Sequence, residues 1–115
     1  MSEDIIKSRL EEGISCYRGK IPESTLEGIR DHVLWGLPAG GFLTAVLTND
    51  LFEATGRADT RNRAALMDIC GFVYSYCPGA CWGSYEKVDR WAAERRQAIG
   101  RSPDGWPITG KEVAP

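Results

Sequence analysis

The run from Trp35 to Phe52 constrains this chain more than any other stretch. Gly36 and Pro38 must end one helix near its start, because proline disfavours helical geometry in the residue before it and glycine suits a helix C-terminus. A second helix begins at Pro38 or just after it. Its residues Phe42, Leu43, Val46, Leu47 and Leu51 are expected to face a core, with Ala45 and Phe52 widening the buried arc. A helix apolar on most of its circumference belongs in the middle of a helical bundle.

The flanking sequence repeats the same period. Ile6, Leu10, Ile14 and Tyr17 recur at helical spacing, as do Leu26, Ile29, Val33, Leu34 and Leu37, and then Leu66, Ile69, Cys70, Val73 and Cys77. Val88, Trp91, Ala92, Arg95 and Ile99 mark the inner side of a last helix, whereas Arg90, Glu94, Arg96 and Gln97 mark its outside. Ser2, Pro22 or a Ser24–Glu27 capping box, Asp59 or Thr60, and Ser84 supply helix starts. Gly13 weakens the first helix and Gly19 ends it. The fragment 71–76 is rich in β-formers but continues the stripe that begins at Leu66, so no strand pattern survives. The expectation is an all-α fold, a compact bundle of four to five helices over 2–18, 22–36, 38–55, 59–77 and 84–99. It forms one domain over residues 1–100, followed by an irregular tail over 101–115, where Pro103, Gly105, Pro107 and Gly110 interrupt regular structure.

With 115 residues the chain can close one modest core. No apolar run approaches the roughly 20 residues that span a bilayer, and the acidic start Glu3-Asp4 lacks the pattern of a signal peptide. No membrane association is expected, and the chain is read as cytoplasmic. Before Arg57 there are five basic residues against nine acidic, and from Arg57 onward nine against seven. That mild asymmetry lacks the strong basic excess of a general nucleic-acid binder.

Catalytic and metal signatures are thin. Cys16, Cys70, Cys77 and Cys81 lack the paired spacing of a zinc site, and Cys70 and Cys77 read as small buried hydrophobes. A disulfide between Cys77 and Cys81 across the helix end requires oxidation, which a cytosolic setting opposes. His32 is the only histidine, and nothing in the sequence orients it toward a cysteine nucleophile. No catalytic residue, cofactor or metal is expected. Gly40 and Gly41 open a helix whose free N–H groups attract anions, although they also suit close packing at a helix–helix corner. Trp35, Trp82, Trp91 and Trp106, with three of the tyrosines (Tyr74, Tyr76 and Tyr85), exceed what a core of this size needs, and Arg57, Arg61 and Arg63 flank the fourth helix's start. Aromatics and arginine dominate protein interfaces. Trp35, Gly40, Gly41, Arg57, Arg61, Trp82 and Trp106 are therefore the candidate ligand- or partner-binding residues.

The run Ile21-Pro22, Thr25-Leu26 and Gly36 to Leu51 resembles a family of small accessory proteins found in bacteriophages and prophages. Ala58-Asp59, Asn62, Ala65-Leu66, Pro78, Cys81 to Ser84 and Trp91 extend the likeness over most of residues 21–91. The resemblance carries no functional residue with it. It implies an accessory product acting in the host cytoplasm. The expected function is non-enzymatic protein–protein binding, with anti-CRISPR or other anti-defence inhibition of a host complex as its specific form. The alternative is a sponge-like small-ligand or nucleotide-binding protein using the Pro38–Phe42 helix N-terminus. The expected partner is a host protein or complex, and an exposed aromatic face equally suits a homodimer seam.

Overall fold

The structure, a computed structural model, describes residues 3–98. The expected Ser2 cap, Ile99 and the tail over 101–115, including Trp106, lie outside the described residues. All described helices are α apart from one 3₁₀ turn, and no strand is formed among the described residues. The order is α1 (Glu3–Tyr17), α2 (Glu23–Trp35), α3 (Gly41–Leu47), α4 (Leu51–Arg57), α5 (Thr60–Ala64), α6 (Leu66–Tyr76), the 3₁₀ turn (Gly79–Cys81) and α7 (Tyr85–Ala98). The all-α expectation holds, but two of the expected long helices are each divided in two.

The helix expected over 38–55 breaks at Asn49, whose φ of 67° no helix tolerates. Asparagine is among the few residues that enter this left-handed region readily. The Thr48 hydroxyl donates to the Thr44 carbonyl at 2.7 Å, competing with the backbone ladder. Asp50 then caps α4, accepting from the Glu53 N–H at 3.3 Å. The break rotates the apolar pattern, so Leu51 and Phe52 do not face the core as expected. Leu51 is 55% exposed and Phe52 94%. The second division falls at Ala65, where φ −98° and ψ 7° separate α5 from α6.

The centre of the bundle is filled by α1, α2 and α6 rather than by the Phe42–Phe52 stretch, from which Leu47 alone is fully enclosed. Leu10, Leu26, Ile29, Val33, Ile69 and Phe72 are almost completely buried, each contributing about 1.5–3 kcal/mol. Gly13, read from sequence as a weak point, is where side chains of α6 pack directly on the backbone of α1. A Cβ there would lie 2.5 Å from Tyr76 Cγ and 2.8 Å from Phe72 Cε1. Phe72, Tyr76 and Tyr17 pack ring to ring at 5.7–6.3 Å in the space so opened. The same joint is closed outside by Arg9, which donates to the Ser75 carbonyl at 2.5 Å and lies 5.6 Å over the Tyr76 ring.

α2 starts after Pro22, which is its N-cap and not its first helical residue, and no Ser24–Glu27 capping box forms there. It ends as expected at Gly36, where φ is 68°. The Gly36 N–H bonds the His32 carbonyl and the Leu37 N–H bonds the Asp31 carbonyl, the paired pattern of a glycine-terminated helix. α7 is a polar helix, and its attachment to α2 is correspondingly polar. Trp91 Nε1 donates to the Val33 carbonyl at 3.0 Å. Arg95 donates to the Leu34 carbonyl through Nε at 3.1 Å and Nη2 at 2.8 Å, and Arg96 donates to the Gly36 carbonyl at 2.9 Å. Arg96, expected on the outside, thus faces α2. Arg95 also makes a two-pronged ion pair with Glu3, which holds the Glu3 carboxyl below its ordinary range.

Candidate interaction surface

Residues 74–87 carry two exposed tyrosines, Tyr74 and Tyr85, and the partly buried Trp82. Because Ile69, Phe72 and Val73 face inward on α6, Tyr74 is turned out and is 75% exposed. Cys77 ends the helix in an extended conformation, and the 3₁₀ turn folds the chain back so that Trp82 returns to the end of α6. The indole Nε1 donates to the Cys77 carbonyl at 3.4 Å, and its ring lies 5.9 Å from that of Tyr74. The Gly83 N–H bonds the Leu47 carbonyl at 2.7 Å, tying this segment to the end of α3. Ser84 caps α7 by accepting from the Lys87 N–H at 3.2 Å, as its position in the sequence suggested. One turn into α7, the Lys87 ammonium stands 5.8 Å over the Trp82 ring, a cation–π contact of about 0.5–1 kcal/mol at an exposed site. Tyr85, at the start of α7, is 60% exposed. The result is a ledge of Tyr74, Trp82 and Lys87, with Tyr85 beside it in the chain.

The ledge rests on two thiols and an imidazole. Cys77 and Cys81 are buried, and so is His32, which reaches them from α2. His32 Nε2 lies 2.9 Å from the Cys81 carbonyl. Since a carbonyl only accepts, this nitrogen carries the proton. The neighbouring Cys77 thiol, helped by the His32 ring and opposed by burial, brings the Cys81 thiol down to about 6. Cys77 moves well above its ordinary value, raised by the neighbouring Cys81 thiol and by burial. Cys70 is raised by burial alone. Among the described residues, no group of three or more His, Cys, Asp or Glu side chains is arranged to hold a metal ion.

The residues singled out from sequence do not converge on one site. Gly41 and Arg57 do meet: a Cβ on Gly41 would lie 2.8 Å from an Arg57 guanidinium nitrogen, so the arginine covers the start of α3. That guanidinium is also paired with Glu53 at 2.6 Å. Gly40 is the N-cap of α3, with open space beside it. Trp35 ends α2 partly exposed. Arg61 lines a cleft of about 430 Å³ with Lys20, Pro22, Glu23 and Ala64. Trp82 stands on the ledge, and Trp106 lies outside the described residues. Comparison with protein-family models, curated proteins and solved structures gave no match.

What the ledge can do follows from its own chemistry. It offers two broad aromatic faces and one cation over a rigid root, the residue types that anchor protein contacts. Sequence reasoning named Trp82 but passed over Lys87, and it weighed His32 and the cysteines without joining them. Two local signals were available: Lys87 one helical turn after the Ser84 cap, and Pro78-Gly79 folding the chain between Cys77 and Cys81. His32 gives no such signal, being 49 residues from Cys81.

Proposed function

We propose that this protein is a non-enzymatic binding protein of the phage accessory type, which engages a host protein or complex through the Tyr74–Trp82–Lys87 ledge. Anti-CRISPR or other anti-defence inhibition is the specific form this reading takes, supported by the sequence resemblance described above. The observation that carries it is the outward placement of Tyr74 against the ring of Trp82, whose indole is held by its own hydrogen bond, with Tyr85 exposed at the start of α7. Aromatic rings held in place lose little freedom on binding, which favours them as anchors. The small-ligand alternative at Pro38–Phe42 has less support, because the Arg57 guanidinium already covers Gly41 and is paired with Glu53.

The test is affinity capture from bacterial host lysate on the immobilised full chain, in parallel with the Tyr74→Ser/Tyr85→Ser variant. Both substitutions are on exposed positions, so the fold is expected to survive and is checked by circular dichroism. A partner held by the wild type and lost by the variant supports the reading. Equal capture by both, or none by either, refutes it. A thermal-shift panel of nucleotides and cyclic dinucleotides addresses the alternative, since a saturating ligand must raise the melting temperature. Light scattering on the same samples identifies a homodimer.

A further inference from the structure

The start of α1, the 3₁₀ turn and the second half of α7 surround a surface cavity of about 450 Å³, within the range of about 300–1,000 Å³ that small-molecule sites occupy. Ile6, Pro78, Trp91 and Ala98 give it apolar walls, and Arg95, Glu3 and Glu94 supply its charges.

Arg95 is the fixed member of the charged set. It is buried, and the Leu34 carbonyl accepts from its Nε and Nη2. Trp91, whose ring lies 5.6 Å from the same guanidinium, is itself held by its bond to the Val33 carbonyl. The other edge of the guanidinium, Nη1 with Nη2, is taken by the two carboxylate oxygens of Glu3, the bidentate arrangement that arginine and a carboxylate form together. Glu3 is the exchangeable member. It is the first residue of α1 and its side chain is mostly exposed, so water can replace its bonds at little cost. A buried guanidinium has no such freedom and requires a partner on that edge. The edge is therefore a preorganised carboxylate site, and its present occupant belongs to the chain itself.

We propose that this cavity binds a small organic acid, one carboxylate on an apolar body, and that the acid displaces Glu3 from Arg95. The carboxylate takes Nη1 and Nη2, and the body lies against the walls that Ile6, Pro78 and Trp91 provide. Glu94 in the same lining opposes a second negative charge on the ligand, so a monocarboxylate is preferred to a dianion. The inference goes beyond the interaction reading and needs no host partner, since Tyr74, Trp82 and Lys87 do not line this cavity.

The experiment titrates the isotope-labelled full chain with hexanoate and with phenylacetate, following the Arg95 Nε–H and Trp91 indole N–H signals by NMR. Hexanamide and phenylacetamide are the neutral controls, and sulfate is the dianionic one. At least one acid is expected to move both signals saturably at millimolar concentration, while the amides and sulfate leave them in place. Glu3→Gln removes the internal competitor and should tighten binding of that acid by about two- to fivefold, the equivalent of an exposed ion pair. The position is exposed, so the variant is expected to fold, which its ligand-free spectrum checks. The inference is overturned if neither acid moves both signals in the wild type, if an amide or sulfate binds as tightly as the acids, or if Glu3→Gln leaves the affinity unchanged or lower.

Discussion

Replacing Arg95 with alanine should be among the most damaging single changes outside the apolar core. The side chain is 11% exposed, and three sets of contacts go with it. Its bonds to the Leu34 carbonyl, from a charged donor, are worth about 1.5–3 kcal/mol. Its guanidinium lies 5.6 Å from the Trp91 ring, which adds about 0.5–1 kcal/mol. The ion pair with Glu3 adds at most about 1 kcal/mol, because the Glu3 side chain is 67% exposed. Together these give a loss of about 3 kcal/mol, or a fall in Tm of about 12–18 °C for a domain of this size. Thermal unfolding followed by circular dichroism measures it, with Glu3→Gln as the internal comparison at no more than about 1 kcal/mol. Arg95→Lys should fall between the two, since it keeps the charge but not the planar fork that spans Leu34 and Glu3. If Arg95→Ala and Glu3→Gln destabilise equally, the carbonyl contacts are not what holds α7, and the reasoning fails.

Gly36→Ala should cost more than about 1 kcal/mol in chemical denaturation, because φ is +68° and the new Cβ would stand 2.5 Å from the Ala92 carbonyl oxygen. Gly13→Ala should gain about 1 kcal/mol in helix propensity yet remain net destabilising, since displacing Tyr76 and Phe72 costs about 1–3 kcal/mol; near-ultraviolet circular dichroism should report the moved rings. Thr25→Val removes a 2.6 Å hydrogen bond to Asn62 that joins α2 to α5, and equilibrium unfolding should show a loss of about 1 kcal/mol. The thiol pair makes stability depend on pH. Cys81 titrates near 6 in the folded chain against 9.0 ordinarily, so the unfolded chain binds more protons between those values. The contribution is full above 9, declines as pH falls and is gone below about 6. Cys77, shifted upward, opposes it only above 9. Denaturation midpoints between pH 6 and 9 should therefore rise with pH under reducing conditions, and Cys81→Ser should flatten the rise.

Several helix ends were legible from residue type, although the Ser24–Glu27 box read at the start of α2 does not form. Gly36 before Pro38, Asp59 at the start of α5 and Ser84 at the start of α7 all act in the structure as their chemistry dictates. The break at Asn49 was hidden because Leu51 and Phe52 continue the apolar pattern on paper. One residue in the left-handed region changes the phase of everything after it, and a periodicity count has no access to φ. Phe72, the largest fully buried side chain, was obscured by its β-forming neighbours. The surface was legible in part. Trp82 stands out by residue type, and Tyr74 follows once α6 is given its inward face. The thiol–imidazole cluster was not legible, since it needs α2 to be laid against the 3₁₀ turn, a long-range contact that local spacing does not encode.

The joint between α7 and α2 also specifies position along the axis. Apolar side chains in a groove tolerate a slide of one turn at modest cost, because one methyl contact replaces another. Trp91, Arg95 and Arg96 instead count off three separate carbonyls, those of Val33, Leu34 and Gly36. A shift of one turn, about 5.4 Å, would leave all three donors without their acceptors at once. The helix that begins beside Trp82 is thereby indexed against the end of α2, and the height at which Lys87 meets the indole is set by hydrogen bonds at the opposite end of the same helix.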